Sequence, residues 1–321
     1  MPSTLIVGEV IHTHDLSSYS FATGGSSKQN WCGGRGVFSC GGPDRTIQDY
    51  VNIGTSGNAS DFAEAATGYN NSGTVSNGWR GMIVGGSSPP GDADQDQMQY
   101  YSIGTLADAV DFSGELNAAR GYLVGGASNG ARGVVGGGSS PTNPYSNAID
   151  FFGFIPGADA KDFGNLTEGR LGAASGVMDG NRGAWCGGHE PGMANIIDYV
   201  VVGTADNAVD LGDLTQARHV GAATSNGSRG IMICGATYDT IDYFVIGHVG
   251  NAIDFGDATV ASNYLGATSD GSRGMRQGGD YPPAGGSQDA IDYVNIGVKG
   301  DAIDFGDLTV GRESVGSTSG D

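Results

Sequence analysis

Short apolar runs alternate with glycine-rich polar stretches along all but the first part of this 321-residue chain. No stretch keeps an apolar period near 3.6 residues, so the pattern predicts no amphipathic helices. The runs are four to seven residues long and rich in Ile, Val, Tyr and Phe, with Gly, Asn, Ser and Asp at their ends. Short strands joined by tight turns have that pattern. In IDYVNI, Ile291 and Tyr293 point to one side of the strand while Val294 and Ile296 point to the other. Large apolar residues on both faces predict sheets sandwiched between neighbouring sheets.

The runs recur in a fixed order. An Arg-Gly pair followed by a mostly apolar run ending in glycine occurs six times, at Arg35, Arg80, Arg132, Arg182, Arg229 and Arg273. Successive spacings are 45, 52, 50, 47 and 44 residues, a period of about 48. A second marker follows each one: QDYVNIG, MQYYSIG, IDFFGFI, IDYVVVG, IDYFVIG and IDYVNIG. A third is clearest as NAVDLGDLT, NAIDFGDAT and DAIDFGDLT, with weaker forms around Asp61, Asp111 and Asp162. A stretch of small residues, such as RHVGAATSNGS from Arg218, completes the unit. Four short antiparallel strands per repeat at this period predict an all-β fold, a six-bladed β-propeller. A β-helix would have a shorter and stricter period.

The repeat resembles a kelch motif, with a double glycine after the second strand, an aromatic in the third, and an aromatic with Leu in the fourth. Phe62, Phe112, Phe163, Leu211, Phe255 and Phe305 stand where kelch repeats usually carry Trp. The wording GATSDGSRG, IDYVNIG and DAIDFGDLT is also similar to propeller proteins encoded by marine bacteriophages, over roughly residues 18–321. That second resemblance implies a virion or tail-associated protein.

Counting the strands predicts how the ring closes. The small-residue strand occurs seven times if Ser18–Ser27 is counted with the C-terminal copy, and the other three occur six times each. One terminal copy must complete the first blade, and residues 312–319 are expected to do so, removing the sheet edges. Residues 1–17 fit no part of the repeat and are expected to be a tail or docking segment beside a propeller over 18–321.

Composition narrows the function. Glycine, at 60 residues, falls mainly at strand ends and reads as turn chemistry. Net charge is −20, and of the twelve arginines six are the Arg-Gly residues while Arg120, Arg170, Arg218 and Arg312 share a second repeat position. These ten are expected to be structural, pairing with the repeated aspartates of the ID and DF markers or bonding strand-end carbonyls. The remaining acidic surface disfavours nucleic acid and bare anionic polysaccharide as partners. No apolar run is long enough for membrane insertion, and no signal peptide is recognised, so synthesis in a host cytoplasm is expected.

Cys32, Cys40, Cys186 and Cys234 form no C-x-x-C pair or zinc pattern, and three of them sit in or beside second strands, where a thiol acts as a small apolar filler. Motifs of hydrolases, zinc proteases and nucleotide-binding loops are not found, and neither a cofactor nor a metal is expected. His12 and His14 have the spacing of two ligands on one strand face, but read more simply as a polar pair in the tail. Asp179, Asp270 and Asn226 read as turn residues rather than sialidase-type boxes.

What does not repeat is the loop between second and third strands, and rigid strands presenting variable loops make a binding surface. Its candidates are Tyr145, His189, Tyr238 and Tyr281. Arg276 breaks the pattern, standing where other blades place Phe38, Ile83, Val135, Trp185 and Met232. It is expected to mark either the closure seam or a subunit contact. The functional expectation is a non-enzymatic bacteriophage virion protein. It would be a tail, fibre or capsid-appended propeller that contacts other virion proteins and a host-surface glycan or protein. The alternative is a carbohydrate-binding or carbohydrate-processing propeller, lectin-like or sugar-oxidase-like.

Overall fold

A computed structural model describes residues 33–320, apart from 43–44, 89–91, 124 and 282–284. The expected tail 1–17, the copy Ser18–Ser27, His12, His14 and Cys32 lie outside the described residues. The fold is a six-bladed β-propeller, and no helix occurs among the described residues.

Blade one begins with β1 (Arg35–Ser39), β2 (Ile47–Asn52) and β3 (Ser60–Glu64). Blade two is β4 (Gly73–Ser76), β5 (Arg80–Ser88), β6 (Ala93–Ser102) and β7 (Val110–Glu115). Blade three is β8 (Ala127–Ser128), β9 (Arg132–Gly136), β10 (Ala148–Gly153) and β11 (Lys161–Asn165). Blade four has β12 (Ala174–Met178) and β13 (Arg182–Cys186), a small hairpin of β14 (His189–Glu190) and β15 (Gly192–Met193), then β16 (Ile196–Val201) and β17 (Val209–Asp213). Blade five is β18 (Ala222–Ser225), β19 (Arg229–Gly235), β20 (Tyr238–Val245) and β21 (Ile253–Asp257). Blade six is β22 (Gly266–Ser269), β23 (Arg273–Gln277), β24 (Ala290–Asn295) and β25 (Ile303–Asp307). The last strand, β26 (Gly316–Gly320), runs antiparallel to β1 and makes blade one four-stranded, pairing Arg35 with Gly320 and Ser39 with Gly316.

The core is divided into six parts, each lying between two neighbouring blades. Ile291 of β24 packs with Val51 and Ile53 of blade one, while Val294 and Ile296 pack with Ile231, Ile233 and Ile241 of blade five. This is the two-faced pattern of the third strand, and the same division recurs around the ring. A lone blade would expose both faces, so stability is a property of the closed ring.

The ten repeated arginines divide by partner. Each Arg-Gly guanidinium donates to a carbonyl at the end of the next blade's third strand. Arg35 reaches Ile103 O at 2.8 Å, Arg182 reaches Ile246 O at 2.8 Å, and Arg273 closes the circle on Ile53 O at 2.9 Å. Arg80, Arg132 and Arg229 do the same to Phe154, Gly203 and Gly297. Each also lies over an aromatic ring of its own blade (Tyr50, Tyr100, Phe151, Tyr199, Tyr243 or Tyr293) at 4.5–5.0 Å, within cation–π range.

The second set forms buried ion pairs with the aspartate of the ID marker. These are Arg120–Asp150, Arg170–Asp198, Arg218–Asp242 and Arg312–Asp49, at 2.6–2.8 Å. A threonine hydroxyl also binds the carboxylate in three of them: Thr167, Thr215 and Thr309. The aspartates of the DF marker take no part. They sit exposed on the fourth strands, around the circumference.

Arg276 is explained inside its own blade. Aligned by repeat, Ser262 occupies the position of Arg218, so blade six lacks the usual arginine. Arg276 enters from β23 instead, pairs with Asp292 at 2.8 Å and donates to Ser262 Oγ at 3.1 Å. Blade six does border the closure seam, since β22 packs against β26 and Gln277 bonds Ser317 there. Arg276 itself, however, is buried among partners of its own blade, where it compensates for a missing charge rather than meeting a subunit. Blade two solves the same problem without charge. Tyr69 and Gln99 replace arginine and aspartate, Gln99 bonds the Thr67 backbone, and Tyr69 donates to Gln97 Oε1 at 2.6 Å. Buried charges thus appear and disappear as pairs, because a lone one is costly. Arg276→Met is expected to lower stability by about 3 kcal/mol or more. Adding Ser262→Arg to that variant should restore most of it, as read by urea unfolding.

Candidate functional site

The innermost strands surround the axis and leave little space there. Small and hydroxyl-bearing residues line a cavity of about 70 Å³, among them Thr74, Ser76, Thr224, Thr268 and Ser317. Their hydroxyls bond from blade to blade, Ser76 to Ser319 O at 2.8 Å and Ser319 to Ser269 O at 2.7 Å. Such a cavity has room for a few waters, and among the described residues no ionisable side chain lines it.

At one end of the axis, the linkers entering successive blades are tied by backbone bonds. Gly172 donates to Tyr122 O, Val220 to Gly172 O, Tyr264 to Val220 O, and Ser314 to Tyr264 O, at 2.6–3.1 Å. The loops after the second strands leave from the same level. Leu171 and His189 exchange two backbone bonds there, as do Asn263 and Asp280. The double glycine makes this approach possible. Gly187 has a φ of +61°, and a Cβ there would lie 2.3 Å from Arg218 O.

Three rings meet in one sector of this face. Tyr145, from the blade-three loop, lies 5.8 Å from His189 of β14, centroid to centroid. His189 in turn lies 5.3 Å from His219, in the linker to blade five, with the planes 56° apart. Burial holds the His219 imidazole below its ordinary pKa, and His189 acts in the same direction. Beside them, a hydrogen bond with Glu168 raises the Glu190 carboxyl above its ordinary range, and partial burial adds to the effect. Elsewhere on the face the character is acidic: burial raises Glu313, and nearby Asp280 raises it further.

Two of the four loop candidates are therefore brought together, Tyr145 and His189. Tyr238 stands exposed at the start of β20, and Tyr281 is half-buried; among the described residues neither ring stacks on another aromatic. His219, Glu168 and Glu190 complete the sector. The first two lie in linkers rather than variable loops, close to the buried arginines Arg218 and Arg170, and that adjacency was the available sequence signal.

The described cysteines are unsuited to nucleophilic work. Burial pushes Cys40 and Cys234 up to about 11 and Cys186 up to about 12. Among the described residues no group of three or more His, Cys, Asp or Glu side chains is placed to hold a metal ion.

Fold and geometry together define a propeller with a filled axis and one irregular, ring-bearing sector on its loop face. No protein-family model matches the chain, and no curated protein matches it.

Proposed function

We propose that this chain is a non-enzymatic display propeller of a bacteriophage particle, and that its loop face docks a host-surface molecule or another virion protein. The observation that carries a binding role is the meeting of Tyr145, His189 and His219 from three successive parts of the ring. Rigid blades hold these rings, and none of the three belongs to the scaffold repeat. The axial cavity is narrow and, among the described residues, carries no ionisable side chain, which supports the loop face rather than the axis as the place where a partner is bound. The assignment to a phage particle rests on the resemblance of the repeat wording to phage-encoded propellers.

Mass spectrometry of purified particles tests the location, and the chain is expected among the virion proteins. In an adsorption or pull-down assay, Tyr145→Ala with His189→Ala should weaken partner binding by about thirtyfold or more, the effect of losing an interface anchor. Tyr238→Ala should change it little. Glycan-array binding that disappears with Tyr145→Ala would identify the partner as a sugar. Wild-type binding by the double variant would overturn the site.

A further inference from the structure

His189 and His219 belong to different blades, and the backbone at each is tied down. His189 N donates to Leu171 O at 2.8 Å and His189 O accepts from Leu171 N at 3.0 Å. His219 lies between Arg218, whose guanidinium pairs with Asp242, and Val220, whose N–H donates to Gly172 O at 2.9 Å. The two imidazoles are thus held close by the scaffold, not by chance contact of mobile loops.

Their separation suits a shared ion. With metal–nitrogen bonds of about 2.0–2.1 Å and tetrahedral angles, two imidazoles on one ion have ring centres about 5 Å apart. The observed separation is 5.3 Å, and the planes are inclined at 56° rather than stacked flat. Among the described residues, the buried His219 Nδ1 has no hydrogen-bond partner, which is costly for a polar atom. A bound ion would satisfy it.

We propose that His189 and His219 together bind a divalent transition-metal ion of the Zn²⁺, Ni²⁺ or Cu²⁺ class. Imidazole nitrogen favours these ions, whereas Ca²⁺ and Mg²⁺ seek several oxygens. The chain contributes two ligands, leaving the other positions to water or to a donor from a docked partner. Tyr145, 5.8 Å from His189, flanks the ion on the blade-three side. The metal site stands whether or not the sector docks a virion or host partner, because the ion needs only this chain.

The test is calorimetric titration of the tag-free full chain with Ni²⁺ alone. His12 and His14 are changed to Ala throughout, to remove the other closely spaced histidines in the sequence. One saturable equivalent per chain is expected, with no matching signal from Ca²⁺. His189→Ala and His219→Ala should each weaken binding by about tenfold or more. His189 is only half-buried, so His189→Ala should keep the metal-free unfolding midpoint and decides the matter even if His219→Ala folds poorly. A second readout is Cu²⁺ electron paramagnetic resonance, where nitrogen couplings from two imidazoles are expected and should fall to one in His189→Ala. No saturable Ni²⁺ binding, or equal binding by His189→Ala, would overturn the proposal.

Discussion

Asp198→Ala is expected to destabilise the ring by about 3–5 kcal/mol, because it leaves the Arg170 guanidinium buried without its counter-charge. Both side chains are fully buried, and their atoms lie 2.8 Å apart. The same carboxylate accepts from Thr167 N at 3.1 Å and Thr167 Oγ1 at 2.6 Å, so the linker loses its anchor as well. Against a total stability of about 5–15 kcal/mol, such a loss is large. Blade two supplies the neutral alternative. Arg170→Tyr, Ile196→Gln and Asp198→Gln together reproduce Tyr69, Gln97 and Gln99, and this triple variant should regain most of the lost stability. Arg45→Ala is the control. Its pair with Asp92 is at the surface, so its removal should cost about 0–1 kcal/mol. Urea unfolding of the four proteins decides the matter, and an Asp198→Ala effect as small as that of Arg45→Ala would contradict the reading.

The second large effect concerns closure. Deleting Gly316–Asp321 removes β26 while leaving Arg312 to pair with Asp49. The edge of β1 is then unpaired, and blade two loses the bonds from Thr74 and Ser76 to Ser317 O and Ser319 O. The truncated chain should lose cooperative thermal unfolding and self-associate through the opened edge, as seen by size-exclusion chromatography. A supplied Gly316–Asp321 peptide should partly restore the monomer. An unchanged midpoint in the truncated chain would show that β26 does not hold the ring together.

The blades were legible because each strand carries its own boundaries and the second and third strands are apolar on both faces. Period and strand count follow from local composition, which neighbouring residues determine. The arginines were half-legible. Their repetition marked them as structural, but residues far apart in sequence decide which carbonyl or carboxylate each one meets. Arg276 shows the limit. It breaks the column of Phe38, Ile83, Val135, Trp185 and Met232, and its meaning lies in another column, where Ser262 has replaced an arginine. Reading the two columns together would have shown the exchange, as it would for Tyr69 with Gln99.

The sector where the three rings meet was less legible still. Loop variability pointed to Tyr145 and His189 but equally to Tyr238 and Tyr281, because loops of unequal length do not reveal which tips meet. His219 sits in a linker that otherwise follows the repeat. Its contact with His189 comes from the turn of the ring between blades four and five.

In the proposed display role the repeat is the scaffold and the loop face carries the function, and imaging the assembled particle tests that division most directly. The expected image shows this propeller docked with Tyr145, His189 and His219 covered, and the face bearing the Arg-Gly turns free. A particle without this chain, or one that covers the Arg-Gly face and leaves those three rings open, would contradict it.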